Sequence, residues 1–278
     1  MPASRPTAGT ATINSGNVVG AVAKGVWLAD ATGAIPDLLG VQSTLAKSGG
    51  STPTYSSGGS LGGQLTGNTT DYAYRTALSA HVNAFPLYIG GVFEYTGGTA
   101  GASGMETVFA IGDGVTDAGG MYMAVWVSDG TFGTSGHIVA GFRTVNGGTA
   151  SIVDGPAVSN STQYSVAFKG IDGDGVNNVS AILVVNGTSY KTVSGASGVF
   201  STDYINRASM LTLYRGSASL WPGSSHLDVA MLWYGDSGTT LTEANMQTWT
   251  NDPWDILSGA GGGAGGVPKT NRLMCGVG

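Results

Sequence analysis

Glu94, Glu106 and Glu243 are the only glutamates in this 278-residue chain, and His81, His137 and His226 are the only histidines. That shortage bounds the acid–base chemistry available. Glycoside hydrolysis needs two carboxyl groups held about 5–9 Å apart, commonly carried on one strand as E-x-D-x-E, and that pattern is absent. Glu94 and Glu106 flank a polar turn, Thr96–Gly104, and could meet across a hairpin; solvated rim charges are the simpler account of both. None of the histidines sits in HExxH or in a pair with metal spacing. His137 and His226 each open a strand, where a hydrogen-bonded edge histidine is expected. No GxSxG elbow offers a serine nucleophile. The expectation is therefore a protein that is not an enzyme.

Two other constellations could bind rather than react. Asp172, Asp174 and Asn177, in DGDGVNN, are oxygen-rich and resemble a fragment of a calcium loop. An EF-hand needs a third ligand where Val176 stands and a glutamate at its twelfth position, and valine cannot ligate. The run reads first as a turn, with a weak Ca2+ site as the alternative; no other cofactor is expected. For sugars, the candidates are aromatic residues in loops: Trp221, Phe132 and Tyr55. Trp221, in SLWPGSS, is the best placed because the adjacent proline stiffens its loop.

The elements that must position such groups are strands. Glycine counts 48 residues and charged residues make up only 10% of the chain, against an ordinary share near a quarter. The glycines carry no G-X-Y period and fall between apolar alternating runs, as tight turns require. Gln163–Ile171 alternates with Tyr164, Val166 and Phe168 on one face. Met121–Ser128 and His137–Val145 form a pair, and Asn146-Gly147 and Asn186-Gly187 are hairpin-turn dipeptides. His81–Tyr95 is a strong strand signal, with Met105–Ile111 returning beside it as a hairpin. About a dozen strands and one helix predict an all-β antiparallel sandwich or jelly roll.

Net charge is −6, with no basic cluster, so no nucleic-acid partner is expected. No apolar run is long enough for a membrane span, and the first residues lack a secretory h-region. Cys275 is the only cysteine, so no internal disulfide and no CxxC zinc site can form. The division expected is an extended arm over residues 1–20, a sandwich over 21–257, and a glycine-rich linker with a terminal tag over 258–278. The tag's usable anchors for a neighbouring subunit are Val267, Leu273, Met274 and Val277.

The stretch 227–257 organises the chain. Leu227, Val229, Met231 and Trp233 fall on one strand face. Thr242 is a plausible N-cap, Met246 and Trp249 share a helix face, and Asp252-Pro253 ends the helix. This strand followed by LTEANMQTW and NDPW resembles the C-terminal end of laminin-G/concanavalin A-like jelly rolls in tailed-bacteriophage virion proteins. Leu241, Thr242, Asn245, Met246, Trp249, Asp252, Pro253 and Trp254 occupy the matching places. Trp27, Asp37 and Leu38 match the family's opening strand and its Asp-Leu turn. The resemblance implies a concanavalin/laminin-G-like sandwich with one short C-terminal helix. It implies a virion location and a structural role, decorating the capsid or belonging to a tail fibre. The partners implied are the major capsid protein or other virion proteins, with a trimeric or dimeric homo-oligomer. The alternative is a carbohydrate-binding module of a fibre or spike that touches surface glycans of the host.

Overall fold

The computed structural model of the chain describes residues 5–6, 11–29, 35–47, 54–57, 59–67, 74–82, 84–98, 105–113, 122–143, 150–172, 179–194, 205–215, 218–220 and 226–258. In chain order the strands are β1 (Thr12–Ile13), β2 (Gly25–Leu28), β3 (Ala46–Lys47), β4 (Thr54–Ser56), β5 (Gln64–Thr66), β6 (Tyr74–Val82), β7 (Leu87–Tyr95), β8 (Glu106–Asp113), β9 (Tyr122–Val127) and β10 (His137–Arg143). They continue as β11 (Ser151–Ala157), β12 (Thr162–Asp172), β13 (Val179–Val185), β14 (Thr188–Ser194), β15 (Ile205–Met210), β16 (Leu213–Arg215), β17 (Ala218–Leu220) and β18 (Leu227–Gly235). Helix α1 (Glu243–Asn251) and a 3-10 turn (Pro253–Ile256) lead to β19 (Leu257–Ser258).

Two antiparallel sheets face each other. One runs β11-β10-β9-β8-β15-β6-β3; the other runs β14-β13-β12-β7-β18-β5-β4, with β2 also on β18. Their inner faces share one core. Ile89, Phe93 and Tyr95 of β7 and Val229, Leu232 and Tyr234 of β18 pack with Phe109 and Ile111 of β8, Met123 and Val125 of β9 and Met210 of β15. This is the sandwich expected from the alternation.

The hairpin expected between His81–Tyr95 and Met105–Ile111 is not formed. His81 belongs to β6, which pairs with β15 in one sheet, while β7 lies in the other sheet between β12 and β18. Both hydrogen-bonding edges of β7 are thus taken, so the chain crosses the sandwich after Tyr95 and β8 pairs with β9 and β15 instead. Periodicity finds strands but does not choose their partners.

All nine residues of β7 and of β18 are buried. Their outer face carries Tyr88, Val92, Ala230, Met231 and Trp233, which meet Met246, Trp249, Trp254 and Ile256. Trp233 and Trp249 contact edge to face, with centroids 5.3 Å apart. Helix α1 begins as expected: the Asn245 amide donates to the Thr242 hydroxyl at 3.1 Å, and the Asn245 side-chain oxygen accepts from the Thr242 amide at 3.0 Å. This reciprocal pairing satisfies two donors of the first turn. The outer face of the other sheet buries Tyr122, Trp126 and Val139 with Leu213 of β16.

Within the segment expected as an arm, Thr12 and Ile13 pair with Ser258 and Leu257. The Asn14 amide donates to the Ile256 carbonyl at 2.9 Å, and Asn17 Nδ2 donates to the Asp255 carboxylate at 3.0 Å. This part of the chain is docked on the domain, not projected from it.

Asp37, one of the residues matched by the resemblance, is a buried staple. Its Oδ1 accepts from the amides of Val26 (2.8 Å) and Leu39 (3.2 Å); its Oδ2 accepts from Val41 (3.0 Å) and Gln42 (2.8 Å). Three amides of the loop and one of β2 depend on one carboxylate, and a buried donor left unpaired costs about 1–3 kcal/mol. Asp37→Ala should lower unfolding stability by at least ~3 kcal/mol, and Asp37→Asn, which keeps one acceptor oxygen, by roughly half as much. Urea denaturation of the two variants checks this; equal midpoints for both and the parent would refute it.

Candidate functional site

Strand β12 turns Gln163, Ser165, Ala167 and Lys169 toward the outer face, and α1 lies across the middle of that row. At one end of the helix a cleft of about 260 Å³ opens, lined by Gln163, Ser165, Asn186, Thr250, Asn251, Pro253 and Trp254. Three elements build it: the start of β12, the turn between β13 and β14, and the junction of α1 with the 3-10 turn.

The turn is fixed by its sequence. Asn186 and Gly187 both have positive φ, 45° and 81°, as an Asn-Gly hairpin turn demands. Asn186 Oδ1 accepts from the Ser165 amide at 2.8 Å and Asn186 Nδ2 donates to the Gln163 carbonyl at 3.3 Å. The Gly187 amide donates to Thr250 Oγ1 at 3.0 Å, and that hydroxyl donates to the Met246 carbonyl at 2.9 Å. The hairpin is therefore tied to the helix, and the cleft walls are held by hydrogen bonds rather than left to loop motion. Gln163, Asn186 and Asn251 are exposed, whereas Trp254 is 6% exposed and carries the Arg5 guanidinium 5.7 Å from its ring centroid. Such a surface offers amide donors and acceptors beside a largely buried indole, the polar complement that sugar hydroxyls use.

Next to Gln163 in register come Glu94 of β7, Asp228 of β18 and Thr66 of β5. Glu94 and Asp228 are opposite one another on antiparallel strands, where Cβ atoms lie about 4.5–5.5 Å apart. Both are buried, and so is Glu106, which overturns the expectation that Glu94 and Glu106 are solvated rim charges. Nor do those two face each other, since they lie in opposite sheets. Asp228 accepts from Gln64 Nε2 and Thr66 Oγ1, each at 2.5 Å, and Glu94 accepts from the Ser60 hydroxyl. Burial, and then the neighbouring Asp228 charge, raise the Glu94 carboxyl above its ordinary value. Burial raises Asp228 against the opposing effect of its two side-chain hydrogen bonds. Glu106 instead meets His226 Nδ1 at 3.3 Å, and burial together with Glu106 pushes the Tyr95 hydroxyl up to about 12.

Of the aromatic residues singled out from sequence, the two that are described, Phe132 and Tyr55, do not gather. Phe132 stands half-exposed in the connection between β9 and β10, its carbonyl accepting from Trp126 Nε1 at 2.9 Å. Tyr55 is in β4, at the far edge of the other sheet, and packs partly buried against the main core instead of standing in a loop. Trp221 lies outside the described residues, as do Asp174, Asn177, Val267, Leu273, Met274 and Val277. Asp172 is described only as the strand residue paired with Val179. Among the described residues no group of three His, Cys, Asp or Glu side chains could hold a metal, and no helix is long and apolar enough to cross a membrane. His137 Nδ1 lies 2.8 Å from the Gly155 carbonyl, the bonded edge position expected of it. The cleft itself was missed because its members read as strand, turn and plug; only the Asn186-Gly187 signal marked a rigid corner there.

The two raised carboxyls have a stability consequence. A carboxyl whose folded value lies above its unfolded one binds protons more tightly when folded. Its stabilising contribution is complete below its ordinary value, near 4, and is lost as pH rises through the raised value. Glu94→Gln and Asp228→Asn should each flatten the fall in stability above pH ~4. Urea midpoints measured across that range test it; parallel pH profiles for parent and variants would overturn it.

No family model matches the sequence, and no curated protein matches it. Solved structures do. The carbohydrate-binding module (CBM40) of the Ruminococcus gnavus IT-sialidase aligns over 67% of this chain and 97% of its own, at 15% identity and a TM-score of 0.45. The same module bound to α2,3-sialyllactose covers 61% of this chain and 83% of its own, at 15% identity and a TM-score of 0.44. The binding domain of botulinum neurotoxin serotype G covers 82% of this chain and 50% of its own, at 12% identity and a TM-score of 0.50. At such identities the likeness concerns the fold alone, and the fold is an antiparallel jelly-roll β-sandwich.

Proposed function

We propose that this chain is a non-catalytic carbohydrate-binding jelly-roll module whose ligand occupies the cleft between β12, the 186–187 turn and the end of α1. The observation that carries the reading is the composition of that cleft: exposed amides of Gln163 and Asn251 beside the Asn186 turn and Trp254, on walls already hydrogen-bonded together. Its volume of about 260 Å³ is near the lower end of small-ligand sites, ~300–1,000 Å³, which suits one sugar ring of a longer chain. The Glu94–Asp228 pair is engaged by Ser60, Gln64 and Thr66. That is a reason to assign it to the sheet and not to turnover.

Glycan-array screening followed by calorimetry tests the reading. Trp254→Ala is a poor probe, since emptying a buried tryptophan site costs about 3–5 kcal/mol. Gln163→Ala and Asn251→Ala alter exposed side chains. Each should weaken millimolar-to-micromolar binding by about tenfold, the worth of one or two hydrogen bonds, with unchanged melting. Binding that survives both substitutions, or no binding to any glycan, would sink the cleft.

A place on a virion, as capsid decoration or within a tail fibre, is a second reading. What supports it is the resemblance carried by Leu241–Trp254, and a composition rich in Gly with only 10% charged residues. Its partners would be the major capsid protein and further copies of this chain. Quantitative mass spectrometry of purified virions would find hundreds of copies for decoration and a few to tens for a fibre; absence from the particle ends this reading.

A further inference from the structure

At the other end of α1 the same sheet face carries a cation that no carboxylate among the described residues holds. Lys169 is six residues along β12 from Gln163, about 20 Å at ~3.3 Å per residue. Its Nζ donates to the Leu241 carbonyl at 2.8 Å and lies 5.1 Å from the centroid of the Tyr88 ring. Around it is a groove of about 470 Å³, with Ser237 and Thr240 supplying hydroxyls and the helix cap Thr242 at its rim.

The acidic residues that flank this groove in sequence are occupied by other lysines. Asp236 meets Lys24 at 3.8 Å and also accepts from the Gly238 amide at 2.9 Å; Glu243 meets Lys191 at 2.6 Å. Among the described residues no carboxylate pairs with Lys169. An ammonium has three donors; a neutral carbonyl takes one, and the ring face attracts the charge without neutralising it. The Leu241 amide donates to the Tyr88 hydroxyl at 3.3 Å, so carbonyl, ring and lysine are held together as one unit. Lys169 is thus a positioned cation facing hydroxyls in an open groove, in a chain whose net charge is −6.

We propose that the Lys169 groove binds the carboxylate or sulfate of an acidic sugar, so that the ligand of this sheet face is an anionic glycan. A lysine attracts either anion as a point charge, without the planar selectivity of arginine, and the surrounding hydroxyls complement the oxygens of a pyranose. The sugar part rests on the glycan reading above; the anion part rests on Lys169 alone.

The test is a titration of the full, 15N-labelled chain with sodium glucuronate, glucose 6-sulfate and glucose, read from backbone amide shifts. An anionic probe should move Thr240 and Thr242 and bind at least about tenfold more tightly than glucose. Added salt should weaken that preference by screening. Lys169→Gln, which removes the charge and leaves a shorter neutral donor, should abolish the preference, and Lys169→Arg should retain it, with melting curves confirming both folds. A response to glucuronate alone assigns a carboxylate, and to the sulfate alone a sulfate ester. Equal affinity for all three probes, or a preference that survives Lys169→Gln, overturns the proposal. Glucose shifts confined to the Gln163–Asn251 cleft would do so while leaving the cleft reading intact. Anion shifts at Thr240 and Thr242 with none at the cleft would uphold the groove and remove the cleft. Silence with every probe would remove both.

Discussion

The constraint on which the rest depends is the central pair β7 and β18, lying side by side in one sheet with no exposed residue on either. A strand pair apolar on both faces cannot stop at two layers. Its inner face is met by the opposing sheet, and its outer face needs a further cover. Helix α1, the 3-10 turn and the segment around Val19 supply it. The fit is close: a Cβ added at Gly90 would meet the Trp233 indole at 2.5 Å, so glycine there lets the ring lie flat on β7. In an interior packed to crystal-like density, such small residues decide how near the covering layer can come.

The candidate sites follow from the limits of that cover. Alpha-helical turns advance only about 1.5 Å per residue, against about 3.3 Å in a strand, so nine residues of α1 shield less of the sheet than β12 spans. Polar side chains emerge where the shield stops: Gln163 at one end and Lys169 at the other. The polar row from Gln163 through Glu94 and Asp228 to Thr66 lies beyond the apolar patch for the same reason. Its carboxyls are bonded into the β4–β5 region, which accounts for two acidic residues on an otherwise apolar pair of strands.

Much of the architecture was legible in the sequence. The Thr242 cap, the Pro253 stop and the Asn186-Gly187 turn depend on local physics, and each stands where that physics puts it. The strand at Leu227–Tyr234 is there too, but a bulge between Val229 and Met231 turns Leu227 and Val229 inward and Met231 and Trp233 outward, so the four do not share the one face that their spacing predicts. The pairing of β7 was not legible. A long polar turn between two apolar runs looks the same whether the chain folds back in one sheet or crosses to the other. Burial of Glu94 and Glu106 was hidden for a related reason: a carboxylate's environment is set by residues distant in sequence, here Asp228 and Ser60 for one and His226 for the other. The cleft was legible only at one corner, because Gln163 and Asn251 become neighbours through the docking of a hairpin on a helix. Aromatic residues in loops drew attention to Trp221, Phe132 and Tyr55, whereas the aromatic beside the cleft is Trp254, disguised as a core plug.

Thr12 and Ile13 pair with Ser258 and Leu257, so two segments far apart in the chain meet at one seam. A domain closed in this way is mechanically self-contained. Pulling on Thr12 and Ser258 loads first this two-residue ladder, the side-chain bonds between Thr12 and Ser258, and the bonds of Asn14 to Ile256 and Asp255, while β7 and β18 stay out of the line of force. Such a unit can be spliced into a loop of a larger protein, or strung beside identical units, without lengthening its host by the span of the sandwich. A load applied at the seam is taken up there before it reaches the central strands.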